Sequence, residues 1–217
     1  INMKINENIE GEETTMLHLA IANGHINIVK YLFENGFENV NQIGYISTLP
    51  GLKLTPLNVA LLTNNDIIAE YLLSIENIDV NHKLYTELEG NIFGMSYIST
   101  CLSYDYMKPI EMIINNKNYN IDTNVDDLTH AINSKNMHII ELLLKKGINP
   151  NTKSAFTGVS AIELAKEKDD VNMINLITPY LNVEQFEDYN NYKNNIDDNF
   201  FLSKNIHPKY YNIFLED

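Results

Sequence analysis

Apolar residues recur along the chain at helical spacing, in short bursts that are each opened by an oxygen-bearing side chain. Thr15, Thr55, Ser96, Asp126 and Ser160 stand two residues before Leu17, Leu57, Ile98, Leu128 and Ile162, and five before Ala20, Ala60, Cys101, Ala131 and Ala165. An oxygen at that place accepts a bond from an orphan backbone N–H at a helix start, so these five are predicted N-caps. A large apolar residue and a small one three positions on share a helix face, and the small one lets a neighbouring helix approach. Nine residues after each cap come Gly24, Asn64, Asp105, Lys135 and Asp169, where the first helix must stop. Gly, Asn and Asp tolerate a left-handed backbone; Lys135 does not fit the column. A second helix then carries Val29, Ala69, Ile110, Ile140 and Ile174, with Leu32, Leu72, Ile113, Leu143 and Ile177 three residues on, a buried stripe in every copy. Pro56 and Pro109 fall in first turns, where a missing N–H costs little.

The caps are separated by 40, 41, 30 and 34 residues, scattered around the roughly 33-residue period of one helix-turn-helix unit with its connecting loop. Five such units cover about three quarters of the chain.

The stretches Thr15-Met16-Leu17-His18 and Thr55-Pro56-Leu57, Asn23-Gly24-His25 with Ile28-Val29-Lys30-Tyr31-Leu32, and the closers Asn39-Val40-Asn41, Asp79-Val80-Asn81 and Asn149-Pro150-Asn151 resemble the ankyrin repeat. The third copy keeps Gly94-Met95-Ser96, and the fifth keeps Gly158-Val159-Ser160 and Ile162-Glu163-Leu164-Ala165. The resemblance implies an all-α solenoid over 1–182, with repeats near 12–41, 52–81, 93–124, 125–151 and 157–182, followed by a C-terminal helical cap over 183–217. Ankyrin repeats are joined by short β-hairpin fingers. Here the connections around Gln42 to Lys53 and His82 to Phe93 are roughly six residues longer than that pattern needs, while almost nothing separates Asn124 from Asp126. Two long fingers and one missing finger are therefore expected. The acidic tail from Val183, rich in Phe and Tyr, is expected to cover the exposed apolar face of the last unit; the rival is a peptide that docks on a partner.

Composition narrows the function. No run of about 18 apolar residues occurs, so no membrane-spanning helix is predicted. One Cys in 217 residues allows no internal disulfide, which favours a reducing compartment. The 15 Lys+Arg, all Lys, against 29 Asp+Glu give a net charge of −14. With no guanidinium fork and a field that repels polyanions, nucleic-acid binding is disfavoured. Ile1–Gly11 lacks an apolar h-region, so no signal peptide is read there. A cytoplasmic monomer is expected, with export to a host cell left open.

No catalytic or metal-binding constellation stands out. His18 and His25, and His130 and His138, bring no Cys or third neighbour at ligand spacing. Cys101 sits in the small-residue column, as a packing thiol does. Adjacent acids such as Asp126-Asp127 and Asp169-Asp170 fit loops and helix starts better than hydrolytic pairs. No G-x-x-x-x-G-K, G-x-S-x-G, H-E-x-x-H or C-x-x-C motif occurs. No enzyme, cofactor or metal is expected. The resemblance implies instead a contact surface on the finger tips and the exposed side of the first helices. Carried over by position, it uses Leu52, Leu54, Thr63, Phe93, Met95, Tyr104 and Phe156. The competing reading is that the long loops fold back and bury Tyr45, Leu49, Leu52 and Phe93 as small cores of their own. The function implied is a non-catalytic module that binds a basic protein partner. The alternatives are an immunity-type inhibitor of a basic toxin and the targeting part of a larger effector.

Overall fold

The structure, a computed structural model, describes residues 4–9, 12–88, 91–104, 106–154 and 157–181. The expected cap over 183–217 and the predicted contact Phe156 lie outside the described residues, as does the side chain of Phe93. The chain divides into two compact units, Ile1–Ile148 and Asn149–Asp217. The first holds a hairpin of β1 (Lys4–Ile9) and β2 (Glu12–Thr15), then α1 (Met16–Ala22), α2 (Ile26–Glu34), α3 (Pro56–Leu62) and α4 (Asp66–Leu73). A second hairpin, β3 (Leu84–Leu88) with β4 (Asn91–Met95), is followed by α5 (Tyr97–Ser103), α6 (Lys108–Asn115), α7 (Asp126–Asn133) and α8 (Met137–Lys146). The second unit contains α9 (Ala161–Glu167), α10 (Val171–Ile177) and a 3-10 turn at Thr178–Tyr180. The fold is mostly helical, built from helix-turn-helix repeats.

Four of the five predicted caps do what their oxygens allow. Thr15, Thr55, Ser96 and Ser160 accept from the backbone N–H of His18, Asn58, Ser99 and Glu163 at 3.3, 3.1, 3.0 and 3.3 Å. Asn58 and Glu163 reach back to the backbone N–H of Thr55 and Ser160, closing two capping boxes. Asp126 departs from the column. It is the first helical residue of α7, behind Val125, which offers no side-chain bond. Its carboxylate and that of Asp127 sit instead in the first turn, where the positive end of the helix favours them.

The helix-stop column is a backbone requirement that overrides residue preference. Gly24, Asn64 and Asp169 have φ of 71°, 56° and 50°, and Lys135 joins them at 55°. A non-glycine residue in that region costs about 1–2 kcal/mol, which the packing of both adjoining helices outweighs. Every residue of the large and small apolar columns of the first helices is buried, from Leu17 and Ala20 to Ile162 and Ala165.

Within the first unit the first helices of successive repeats lie side by side, α1 on α3, α3 on α5 and α5 on α7. The second helices form a parallel rank, α2 on α4, α4 on α6 and α6 on α8. The closers tie one repeat to the next. Asn41 Nδ2 donates to the Asn77 carbonyl at 2.7 Å while its Oδ1 accepts from Asp79 N at 2.8 Å. Asn81 repeats the arrangement, to the Asn118 carbonyl at 2.7 Å and from Asn120 N at 2.8 Å. Asn120 breaks the ladder: its Oδ1 accepts from Asp122 N at 2.9 Å, inside its own segment.

Candidate partner-binding surface

The three connections that end on α3, α5 and α7 are built differently, and together they set what the first-helix side can present. Gln42 to Lys53, one of the two stretches expected to form long fingers, is not a hairpin. It closes on a single bridge, Gly44 to Leu54, with N–H···O bonds of 2.9 Å both ways. Between them, Pro50 and Gly51 occupy the centre of a reverse turn in which Leu52 N approaches the Leu49 carbonyl at 3.5 Å. Gly51 takes a φ of 77°, as the second central residue of a type II turn requires. The turn folds Ile46 and Leu54 inward, and Leu54 is 0% exposed. Leu54 is therefore part of the core rather than a contact residue, while Tyr45, Leu49 and Leu52, which the competing reading buries, are only half-buried.

His18 seals that bridge. Its Nε2–H donates to the Leu54 carbonyl at 3.0 Å, so Nδ1 carries the lone pair and accepts from the Thr15 hydroxyl at 2.5 Å. Burial lowers the His18 pKa against the opposing pull of its backbone acceptors, so the ring is neutral. Gly44 is needed for close approach: a Cβ there would lie 2.6 Å from the imidazole.

The connection that ends on α5 does form a finger. β3 and β4 pair antiparallel over five residues, from Leu84 opposite Met95 to Leu88 opposite Asn91, without a bulge. The β1–β2 hairpin, by contrast, shifts register between Ile5 and Ile9. Tyr85 lies across Gly94, where a Cβ would meet its ring at 3.0 Å. Thr55 Oγ1 and Tyr97 OH, 2.7 Å apart, join the base of this finger to the base of the previous connection.

The fourth finger is absent, as its two-residue spacing implied, and a carboxylate closes the gap. Asp127, buried at the start of α7, accepts from the Ser96 hydroxyl, and its Oδ2 accepts from Tyr119 OH at 2.7 Å. Burial pushes its pKa up to about 6, against the two hydroxyl donors and the more distant Lys83 that pull it down. Burial beside that carboxylate also raises the Tyr119 hydroxyl strongly.

The predicted contact residues divide. Tyr104, at the C-terminal end of α5, is 66% exposed. Leu52, Thr63 and Met95 are half-buried. Thr63 is occupied locally, donating to the Val59 carbonyl at 2.7 Å and accepting from Asn65 Nδ2 at 2.7 Å. Phe93 lies in β4. Tyr85, 60% exposed on β3, was missed; the alternation Leu84-Tyr85-Thr86-Glu87-Leu88 was the available signal. Also missed were the ladder role of Asn41 and Asn81, and the closer Asn118-Tyr119-Asn120, which has the same form as the three recognised ones.

The opposite, second-helix side carries an ion pair of Glu70 with Lys108 at 2.5 Å and a hydrogen bond of Glu111 with His138 at 2.8 Å. The corresponding step from α2 to α4 brings Lys30 to Ile67 in the repeat register, and Lys30 instead sits 5.5 Å above the Tyr71 ring. Solvent and salt screen these exposed contacts, so they add little to stability.

Cys101 is buried and its thiol is pushed up to about 12, by desolvation first and by Asp127 second. His82 and His130 are lowered by burial, as His18 is. Among the described residues no group of three or more His, Cys, Asp or Glu is placed to hold a metal ion, and no helix is long and apolar enough to cross a membrane. Residues 1–84 match the family model described as ankyrin repeats (three copies). No curated protein matches the chain.

Proposed function

With residues 1–84 belonging to the ankyrin repeat family, whose members mediate protein–protein interaction, we propose that this chain is a non-catalytic module that receives a basic protein partner on its first-helix and finger side. The observation that carries the reading is Tyr104, a large aromatic side chain 66% exposed at the end of α5 and held by a helix that packs on both sides. Tyr offers contact area at low entropic cost and is enriched in the centres of interfaces. Leu52, Thr63, Met95 and Phe93 complete the proposed contact set in the first unit. A standard interface of about 800 Å² per partner spans three or four such repeats. The net charge of −14 speeds encounter with a basic surface and opposes polyanions.

The test is affinity capture on immobilised protein from lysates of its own cell and of candidate hosts, run beside a Tyr104→Glu variant and across a salt titration. A specific partner retained by the unsubstituted chain, lost with Tyr104→Glu and weakened by salt supports the reading. Capture that is indifferent to both overturns it. Sedimentation of the free chain checks the accompanying proposal that it is a monomer.

A further inference from the structure

Asn followed by Gly is the dipeptide in which a backbone nitrogen most easily reaches a side-chain amide, because glycine has no Cβ to obstruct the approach and its backbone turns freely. The chain contains two, Asn23-Gly24 and Asn35-Gly36. They end the two helices of the first repeat, α1 and α2, and in both the Asn Nδ2 donates to the carbonyl four residues back at 2.8 Å. All four residues are exposed. Sequence and local capping make the two sites equal.

Their surroundings make them unequal. Gly24 N–H donates to the Ile21 carbonyl at 2.9 Å, and the Asn65 amide of the next repeat donates to that same carbonyl at 3.0 Å. Asn65 also lies against the glycine, where a Cβ would come 3.1 Å from its Oδ1. His25 N donates to the Ala20 carbonyl at 2.8 Å and α2 begins at Ile26, so Gly24 is held between two helices. Gly36, with a φ of 89°, ends α2 in a Schellman arrangement: its N–H donates to the Phe33 carbonyl at 3.3 Å, and Phe37 N to the Leu32 carbonyl at 3.0 Å. The first of these is longer than an ordinary N–H···O bond. Among the described residues, no atom beyond its chain neighbours lies within 4 Å of where a Gly36 Cβ would stand, and no helix follows until Pro56.

We propose that Asn35 is a site of spontaneous covalent modification in the folded chain, converted through a succinimide to isoaspartate and aspartate, while Asn65 protects Asn23 from the same reaction. The Gly36 nitrogen attacks Asn35 Cγ; the N–Cγ bond forms, the Cγ–Nδ2 bond breaks, and ammonia leaves carrying the Gly36 amide proton. Water then opens the ring at either carbonyl. The Gly36 N–H must first leave the Phe33 carbonyl, an opening that helix ends make most readily. Aspartate places a negative charge at the negative end of α2, whose last turn holds no basic residue. Isoaspartate inserts an extra carbon into the backbone between Leu32 and Phe37, which opposes both their hydrogen bond and the edge-to-face contact of Phe33 with Phe37 at 5.6 Å. Either product loosens the end of the first repeat just ahead of Asn41, whose side chain ties it to the second. The site is independent of what the chain binds.

The test holds the full chain, folded, in mildly alkaline buffer at body temperature and follows both sites by peptide mass spectrometry, with isoaspartyl methyltransferase labelling to identify isoaspartate. The same chain unfolded in urea supplies the rates without structure. The expected result is similar rates at the two sites in urea, and in the folded chain conversion at Asn35 severalfold faster than at Asn23. Asn35→Gln should abolish the label in its peptide. Asn65→Ala, which removes the donor and the contact at Gly24, should raise the Asn23 rate towards that of Asn35 and leave Asn35 unchanged. Equal rates in the folded chain, faster conversion at Asn23, conversion of Asn35 only in urea, or an Asn23 rate indifferent to Asn65→Ala overturns the proposal. Amide hydrogen exchange at Gly24 and Gly36 checks that the Asn65 variant is folded; if it is not, the two rates in the unsubstituted folded chain decide.

Discussion

The second and fourth connections meet the same need, closing the base of the next first helix, with opposite materials. Between α2 and α3 a long loop turns apolar side chains inward, and a neutral imidazole donates to the buried carbonyl of Leu54. Between α6 and α7 the connection is ten residues long and makes no finger, and the closing group is a carboxylate held by two hydroxyls. Desolvation acts on both groups in the direction of neutrality, lowering His18 and raising Asp127 to about 6. The long loop is sealed by a group that must stay unprotonated, whereas the missing loop is replaced by a group that is stabilised by taking up a proton.

The strongest way to break this comparison is Leu54→Ala. If the loop is a core, the change costs about 2–5 kcal/mol, read as a lower midpoint in urea at unchanged slope; a neutral result would return Leu54 to the surface. Gly44→Ala comes next. With a Cβ 2.6 Å from the His18 ring, the neighbours must shift, at about 1–3 kcal/mol, and the His18 imidazole signals should move with it.

The Asp127 side is broken by pH. Its folded pKa is raised, so its contribution to stability is complete below about pH 4 and is lost as pH rises through about 6. His18, lowered from 6.5, acts the other way: its contribution holds above that value and fades as pH falls below it. In the unsubstituted chain the two partly offset. Asp127→Asn should remove one side of the balance and steepen the loss of stability from about pH 6 to pH 4, measured by urea midpoints at each pH. An unchanged slope would mean that Asp127 titrates as an ordinary surface carboxylate.

Smaller effects sharpen the contrast. Gly51→Ala places a side chain at a φ of 77° and should cost about 1 kcal/mol, confined to the loop. Tyr104→Glu and Leu52→Glu should change stability by no more than about 0.5 kcal/mol; a large drop in Tm would assign those side chains to the core.

Most of the repeat fold was legible because each column states a local physical need: an oxygen at a cap, a small residue where helices approach, a residue tolerant of positive φ at a stop. Lys135 shows where such reading ends, since propensity argued against it and the packing of two helices decided the matter. The connections were less legible. Gln42 to Lys53 and His82 to Phe93 have the same excess length, yet one carries Pro50-Gly51 amid irregular apolar positions and the other alternates toward Gly90. Length alone made them equivalent, and the turn chemistry separated them. In the sequence Asp127 is one of two adjacent acids at a helix start, because no sequence window shows Ser96 and Tyr119 converging on it from 31 and 8 residues away.

The asparagine ladder has a kinetic meaning. Asn41 and Asn81 close loops of nearly equal size, their partners lying 36 to 39 residues ahead. The entropy of forming each rung therefore does not grow as the chain lengthens, and folding can advance one neighbour at a time. Asn120 turns its Oδ1 onto its own segment instead, so within the described first unit the advance meets its first gap where Asp127 takes over. Transient opening of the first unit should begin there, and its rate should follow the protonation of a single side chain.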